Sequence, residues 1–440
     1  MKKNELLIND DNIRRTLQND VLGRKPLLFK LIRLLNSIDT NYTISLDGDW
    51  GVGKTFFVEQ LMYLCYKDEN FDLVNDPYDK ELIENFRNKY IPIYYNAWEN
   101  DDHEDVVESL IYNILDVYPK YKKDIKEKNQ KFDTIVKPFL TNLIEKGTLG
   151  FIPKDVFENI KSFEELSNSI NTTEEKKKDL FKIFDLLTDD NTRILLIIDE
   201  LDRCKPDYAV KILESIKHFY SYKNITTLVV TNNSQLSQCV KHFYGSSFDG
   251  YSYLNKMYDT VLSLNLKNIE NYLTYYLDFI VTDYLSNRIA RILINYYKFS
   301  LRECNSFINM YNISTKYIRL SNSFDKNMFI LYSSFYLPLG LALKIKDIDE
   351  FNRYINGESD EFFSKLIGYI TTGTNGQTYL SWMNELFQNV DGDKLINKVV
   401  NCYKDLMNQP ENRYNSYPIK DALSLLGNLV EYDNNDNQGW

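Results

Sequence analysis

A glycine-rich segment constrains this chain more than any other part of its sequence. It reads Gly48-Asp-Trp-Gly-Val-Gly-Lys-Thr55 and directly follows the apolar run 42–46. The spacing fits G-x-x-x-x-G-K-[ST], the pattern of a loop between a strand and a helix. Glycines there let backbone N–H groups surround phosphates, the lysine reaches the β- and γ-phosphate oxygens, and the threonine hydroxyl can bind magnesium. The segment therefore predicts a loop that holds a nucleoside triphosphate.

The predicted nucleotide-binding residues are those of this loop and the first residue of the helix after it. A helix that begins there would add the positive end of its dipole to the phosphate site. The alternative is a glycine-rich turn before an amphipathic helix, which the strand-to-helix context disfavours. The residues are Gly48, Asp49, Trp50, Gly51, Val52, Gly53, Lys54, Thr55 and Phe56.

Five short segments have the composition of buried strands. Their continuous apolar character predicts a mainly parallel sheet covered on both faces, and longer segments with helical periodicity separate them. Alternating strands and helices indicate an α/β fold. The predicted strands are 42–46, 91–95, 194–198, 226–230 and 260–264.

The same pattern predicts how the chain is divided. Residues 1–265 form the α/β core, and 101–190, which are charged and helical in pattern, form an insertion in it. Aromatic-rich helical segments follow, so 266–430 is predicted to be an all-α lid and output region. The Asn- and Asp-rich residues 431–440 are predicted to be a polar tail.

A second motif predicts the catalytic half of the site. The run Ile194-Leu-Leu-Ile-Ile-Asp199-Glu200 is an apolar strand that ends in two acids. Asp199, together with Thr55, is predicted to bind Mg²⁺, and Glu200 is predicted to orient and polarise the attacking water. Lys54, which would reach the phosphate oxygens, is predicted to take part in catalysis as well as in binding.

The strand 226–230 ends in Thr231-Asn232-Asn233. Asn232 is a candidate sensor of the γ-phosphate or the attacking water, and a turn or helix N-cap explains the same residues equally well. The sequence contains neither N-K-x-D nor T-K-x-D, the usual guanine-reading tetrapeptides. ATP is therefore favoured over GTP.

Composition limits the setting in which such a site would work. The net charge of −11 does not favour nucleic acid as the main partner, although a local basic groove would be compatible with it. The five cysteines are scattered and form no C-x-x-C pair, which fits a reducing compartment. We expect a cytoplasmic protein, because the N-terminal residues do not resemble a signal peptide and no transmembrane segment is predicted.

Four segments together resemble the KAP family of P-loop NTPases, over about residues 20–311. This resemblance implies an additional-strand ATPase core related to the AAA+ and STAND groups, with the acid strand and the sensor strand beside the phosphate-loop strand. Many KAP members carry transmembrane helices between the two nucleotide motifs, where this chain is polar. The segments are Gly48 to Thr55, Tyr95-Asn-Ala-Trp98-Glu, Ile198-Asp-Glu-Leu-Asp202-Arg203-Cys204-Lys-Pro206 and Tyr253-Leu-Asn-Lys256-Met-Tyr.

The resemblance also implies roles for residues that are otherwise weak candidates. Gly23 and Arg24 would belong to a short motif that contacts the base and sugar, and Arg302 would be a lid sensor that reaches the phosphates. Arg203 is a candidate cation for the bound phosphate or a neighbouring subunit's site. The alternatives are a surface charge for Arg302 and an ion pair with Asp202 or another acid for Arg203.

The expected function is that of a Mg²⁺-dependent ATPase that couples ATP binding and hydrolysis to a conformational or assembly switch. Because the KAP family includes bacterial proteins that exclude or abort phage infection, the resemblance implies antiviral defence. It also implies a homo-oligomer or a partner protein of a defence system. The alternatives are a non-hydrolysing, ATP-bound signalling scaffold and a nucleic-acid-stimulated ATPase. The family often has two aspartates where this chain has Asp199-Glu200, and an aspartate is common where this chain has Asn232 or Asn233, so hydrolysis is expected to be tuned or slow.

Overall fold

The structure, a computed structural model, describes residues 8–66, 77–121, 173–219, 222–265, 269–277, 284–320, 332–362, 365–366, 393–407 and 423. The chain divides into two compact units, one formed by Ile8–Leu266 and the other by Met1–Leu7 with Lys267–Trp440. The centre of the predicted insertion, 122–172, and the predicted polar tail, 431–440, lie outside the described residues.

The first unit contains a five-stranded, entirely parallel sheet, which confirms the predicted α/β fold. Its lateral order is β2-β3-β4-β1-β5. All five predicted strands are present, and each end lies within one residue of the predicted end. The strands are β1 (Tyr42–Asp47), β2 (Tyr90–Asn96), β3 (Arg193–Asp199), β4 (Ile225–Thr231) and β5 (Thr260–Ser263).

The strand order corrects one detail that the family resemblance implied. The sensor strand β4 does lie beside the phosphate-loop strand β1, but the acid strand β3 does not, because β4 lies between them. Every residue of β3 and β4 is buried, as expected for central strands with covered faces. A sequence pattern predicts where a strand lies in the chain but not which strands are its neighbours in the sheet. The order of the strands is determined by pairing between distant segments.

Nine helices of the first unit lie within the described ranges. They are α1 (Asp10–Asn19), α2 (Lys25–Ser37), α3 (Lys54–Tyr66), α4 (Pro77–Lys89), α5 (Val106–Tyr121), α6 (Thr173–Leu187), α7 (Pro206–Phe219), α8 (Asn233–Tyr244) and α9 (Gly250–Asn255).

Helices α5 and α6 flank the stretch 122–172 at the centre of the predicted insertion. Val107 of α5 and Phe184 of α6 are buried in the same apolar core as Ile194, Leu196 and Ile198 of β3. These side chains leave water by packing against a central strand of the sheet, which stabilises the folded state. The ends of the predicted insertion are therefore part of the core.

The described part of the second unit is helical and contains no strand. A chain of buried tyrosines joins three of its segments: the Tyr403 hydroxyl donates to the Tyr354 carbonyl (2.7 Å), and the Tyr354 hydroxyl donates to the Tyr336 carbonyl (3.0 Å). A π-helical turn, Tyr332–Tyr336, precedes α13. The helices are α10 (Ile269–Leu277), α11 (Tyr284–Tyr296), α12 (Leu301–Leu320), α13 (Leu337–Lys346), α14 (Ile348–Ile355) and α15 (Asp393–Met407).

A helix that crosses a bilayer needs about 20 mainly apolar residues. Within the described ranges, no helix is both long enough and apolar enough to do so.

Candidate functional site

The carboxyl ends of four strands bring the predicted site residues to one edge of the sheet. Asp47 of β1 is in register with Thr231 of β4, and Asp199 of β3 is in register with Val230 of β4 and Asn96 of β2. Because the strands are parallel, the loops that follow them leave from the same edge. The phosphate loop, the acid pair and Asn232 therefore meet there, although they are far apart in sequence.

Glycines shape the loop after β1. Gly51 and Gly53 have φ angles of 77° and 85°, in the left-handed region that favours glycine. A Cβ atom at Gly48 would lie 2.9 Å from the Leu264 carbonyl oxygen, so a side chain there would collide with backbone. The glycines thus permit the tight backbone turn that an anion-binding loop requires.

Lys54 begins α3 and folds back over the loop. Its Nζ donates to the carbonyl oxygens of Gly48 (2.6 Å) and Asp49 (3.3 Å). Burial lowers the pKa of Lys54, and nearby carboxylates, Asp202 first and Asp199 next, act in the opposite direction. The ammonium group is therefore positioned at the mouth of the loop, where it can exchange carbonyl partners for phosphate oxygens.

Asp199 connects the acid strand to the phosphate loop. Its side chain is fully buried and accepts hydrogen bonds from the Glu200 N–H (2.8 Å) and the Tyr94 hydroxyl (3.1 Å), and the Thr55 hydroxyl is near enough to affect its pKa. Burial raises the pKa of Asp199, and these hydrogen bonds and Lys54 act against that rise. The carboxylate and the threonine hydroxyl therefore lie in the same site, and their binding of a metal ion stays a prediction.

These two oxygen donors fit Mg²⁺. The ion binds through one or two protein oxygens and keeps several waters, so it does not need a cage of protein ligands. In the described ranges, no group of three or more His, Cys, Asp or Glu side chains could hold a metal. The Thr55 and Asp199 pair is consistent with a hard, largely hydrated ion bound with phosphates.

Tyr94 is a site residue that the sequence reasoning missed. It lies on β2, two residues before Asn96, which is the residue in register with Asp199. Side chains two positions apart on a strand share a face, so a Tyr94 side chain can reach Asp199 diagonally across the sheet. Only the strand pairing reveals this relationship, because the two residues are far apart in sequence.

Glu200 follows Asp199 in a left-handed backbone conformation, with φ 61°. Its carboxylate forms an ion pair with Arg203, and the Arg203 guanidinium lies 5.4 Å from the centre of the Trp98 ring. Burial and then Asp199 raise the pKa of Glu200, whereas Arg203 lowers it. Of the alternatives for Arg203, the structure shows the ion pair, with Glu200 as the acid.

Two half-exposed tryptophans contact the turn after β3, Trp50 through Asp202 and Trp98 through Arg203. Trp98 lies in an Asx turn, in which the Asn96 side chain accepts from the N–H groups of Trp98 (3.2 Å) and Glu99 (3.3 Å). The Trp50 indole donates to Asp202, whose other carboxylate oxygen accepts from the Thr231 hydroxyl (3.1 Å). Asp202 therefore ties the tip of the phosphate loop to the turn after β3 and to the end of β4.

Asn232 is the N-cap of α8, which was one of the two explanations open from sequence. Its Oδ1 accepts from the Gln235 N–H (3.2 Å). The cap uses the oxygen, so the Nδ2 group remains the part of this side chain that could donate to a phosphate. Its neighbour Asn233 is structural, because its N–H donates to Asp47 (2.9 Å) and its Nδ2 to Ser45 (3.0 Å).

Of the remaining predicted site residues, some lie at the phosphate loop and others lie elsewhere in the chain. Gly23 has a φ of 62°, and the Arg24 guanidinium donates to the carbonyls of Val52 and Gly53. Phe56 is 7% exposed, so its side chain belongs to the core. Arg302 is an exposed residue in the first turn of α12 in the second unit. Its role as a lid sensor stays a prediction.

The parallel sheet, the glycine loop with Lys54 and Thr55, and the acid pair at the end of β3 define a P-loop NTPase. The family model described as the KAP family P-loop domain matches residues 24–325. The chain belongs to the KAP family, as its four motifs indicated.

The other comparisons do not assign the chain to anything narrower than this family. No curated protein matches the chain. Among solved structures, the Aeropyrum pernix ORC1 protein in complex with DNA aligns with a TM-score of 0.36 and 10% sequence identity, covering 91% of this chain and 92% of that chain. So distant a likeness carries no function from one protein to the other.

Proposed function

We propose that this protein is a Mg²⁺-dependent ATPase in which ATP binding and hydrolysis drive a change of conformation or assembly. One observation carries the proposal: the phosphate loop and the end of the acid strand meet in one site, where the Trp50 indole donates to Asp202 and the Thr55 hydroxyl acts to lower the pKa of Asp199. Glu200 is the next residue, and Lys54 reaches into the same site. A merely structural glycine turn would not require a buried carboxylate, a hydroxyl and a lysine to converge.

Each residue has a distinct task in this proposal. Lys54 would leave the Gly48 carbonyl to bind phosphate oxygens, and Thr55 and Asp199 would hold Mg²⁺. The metal ion, when bound, neutralises charge on the phosphates. Glu200 would orient a water molecule and accept its proton, for which its carboxylate must turn away from Arg203. Asn232 would donate from Nδ2.

Phosphate release by the purified protein tests the proposal. We expect turnover of ATP with Mg²⁺ and no turnover when EDTA removes the metal. GTP should be a poorer substrate, because the sequence lacks a guanine-reading tetrapeptide. DNA and RNA should leave the rate unchanged, since the chain is acidic overall. A protein that binds and retains ATP but releases no phosphate would contradict the proposed ATPase function.

That contradicting result would support a second candidate, a non-hydrolysing ATP-bound scaffold. The Glu200–Arg203 ion pair favours this candidate, because it occupies the carboxylate that must activate water. Phosphate release from Arg203→Ala separates the two explanations. An inactive wild type with an active variant would indicate a restrained hydrolase, and two inactive proteins that both retain ATP would indicate a scaffold.

The biological setting is proposed from the family alone. KAP members include bacterial proteins that act against phage, so we propose a role in antiviral defence, in the cytoplasm, as a homo-oligomer or with a partner protein. A mass measurement of the purified protein with and without ATP would detect assembly. Infection of cells that carry the wild type or Lys54→Ala would test defence, which should be lost in the variant.

We expect Arg302→Ala to lower turnover by about tenfold, with a much smaller effect on ATP affinity. A lid sensor that contacts phosphate charge in the transition state contributes to kcat more than to ground-state binding. Lys316→Ala is the matched control, because Lys316 is an exposed cation on the same helix. Equal losses of turnover and binding, or no loss, would remove Arg302 from this role.

A further inference from the structure

Arg24 supports the phosphate loop from inside the protein. The residue is only 4% exposed, and its guanidinium donates from Nη1 to the Gly53 carbonyl (3.1 Å) and from Nη2 to the Val52 carbonyl. Burial lowers the pKa of Arg24 to about 10, so the group stays charged at neutral pH. Burying a guanidinium costs free energy unless it is well paired. Among the described residues, the carbonyls of Val52 and Gly53 in the loop are the hydrogen-bond partners of this guanidinium.

The start of α2 fixes Arg24 in this position. The Asp20 side chain accepts from the N–H groups of Arg24 (2.8 Å) and Lys25 (2.9 Å), and Gly23 supplies the left-handed turn between them. The Arg24 carbonyl accepts from the Leu28 N–H (2.9 Å) in the first turn of the helix. The guanidinium therefore extends from a rigid backbone.

Peptide geometry connects these carbonyls to the phosphate site. In a planar trans peptide, the C=O and N–H bonds point in opposite directions. When Arg24 binds the carbonyls of Val52 and Gly53, the N–H groups of Gly53 and Lys54 point away from it. These N–H groups lie at the start of α3, where donors have no partner within the helix and bind anions.

We propose that Arg24 is a positioning residue that orients the peptide groups of the phosphate loop, so that it acts on the phosphates of the ligand. This inference rests on the proposed nucleotide site. It differs from the base and sugar contact that the family resemblance implies, because its effect would be independent of the base. A loop arranged in advance in this way should also bind inorganic tripolyphosphate.

The test compares the affinities of ATP and tripolyphosphate for the wild type and Arg24→Lys, measured by calorimetry with Mg²⁺ present. A lysine keeps the charge but can no longer bind two carbonyls in a fixed fork. We expect both dissociation constants to rise by the same factor, about tenfold, as for the loss of one charged hydrogen bond. Arg14→Lys, at an exposed arginine of α1, should leave both unchanged.

The outcomes are distinct. A loss confined to ATP would overturn the inference in favour of a base or sugar contact, and unchanged affinities for both ligands would overturn it as well. A wild type that binds ATP but not tripolyphosphate would contradict the inference that the loop is preorganised to bind phosphates. A wild type that binds neither ligand would overturn the proposed function itself. If Arg24→Lys melts well below the wild type, Arg24→Gln and Asp20→Asn, which weaken the same support, should show the same parallel loss.

Discussion

Replacing Lys54 with alanine should weaken ATP binding by about a hundredfold, since a charge-assisted contact is worth up to about 3 kcal/mol. The ammonium group lies in the loop on the carbonyls of Gly48 and Asp49, so it is in position to meet the phosphates. Titration of a fluorescent ATP analogue measures the loss. Circular dichroism should show an unchanged fold, because α3 and the strands do not depend on this side chain.

The control for this variant is Lys211→Ala, at an exposed lysine of α7. It removes the same charge from the same unit without touching the loop, and we expect wild-type affinity. Normal ATP affinity in Lys54→Ala would remove Lys54 from the site and with it the proposed phosphate cradle. Lost binding with lost helical signal would instead report unfolding.

Replacing Glu200 with glutamine should lower the rate of ATP hydrolysis by about 10² to 10⁴, the usual contribution of a general base. ATP affinity should change little, because Thr55, Asp199 and Lys54 remain. Single-turnover phosphate release measures the chemical step, and filter binding of labelled ATP measures affinity. The variant should therefore retain ATP without consuming it.

Glu84→Gln, at an exposed glutamate of α4, is the matched control and should hydrolyse ATP like the wild type. A Glu200→Gln variant with wild-type turnover would show that another group activates the water. Loss of ATP binding in the same variant would place Glu200 among the binding residues.

Several features of the site could be predicted from sequence because they are local. The glycine spacing around Lys54 and the acids after an apolar strand are features of short segments, and the structure places Thr55 and Asp199 in the same site. Asn232 could not be assigned from sequence, because a helix N-cap and a phosphate sensor favour the same residue type. The structure identifies the N-cap, because the Gln235 N–H donates a hydrogen bond to the Asn232 side chain.

Other features depend on contacts between distant parts of the chain. Tyr94 reaches Asp199 through strand register, and Arg24 binds the loop carbonyls. No spacing in the sequence encodes these pairs. The position of β4 between β1 and β3 has the same origin, because lateral order follows from long-range pairing.

Short segments of the amino-acid sequence are enough to specify a phosphate loop, an acid strand and a parallel α/β core, because glycine geometry and apolar runs act over a few residues. Which side chains surround those motifs depends on the folded chain. Burial and hydrogen bonding select partners by distance in space, so the contact of Tyr94 with Asp199 and the support of the loop by Arg24 form only when the chain is folded.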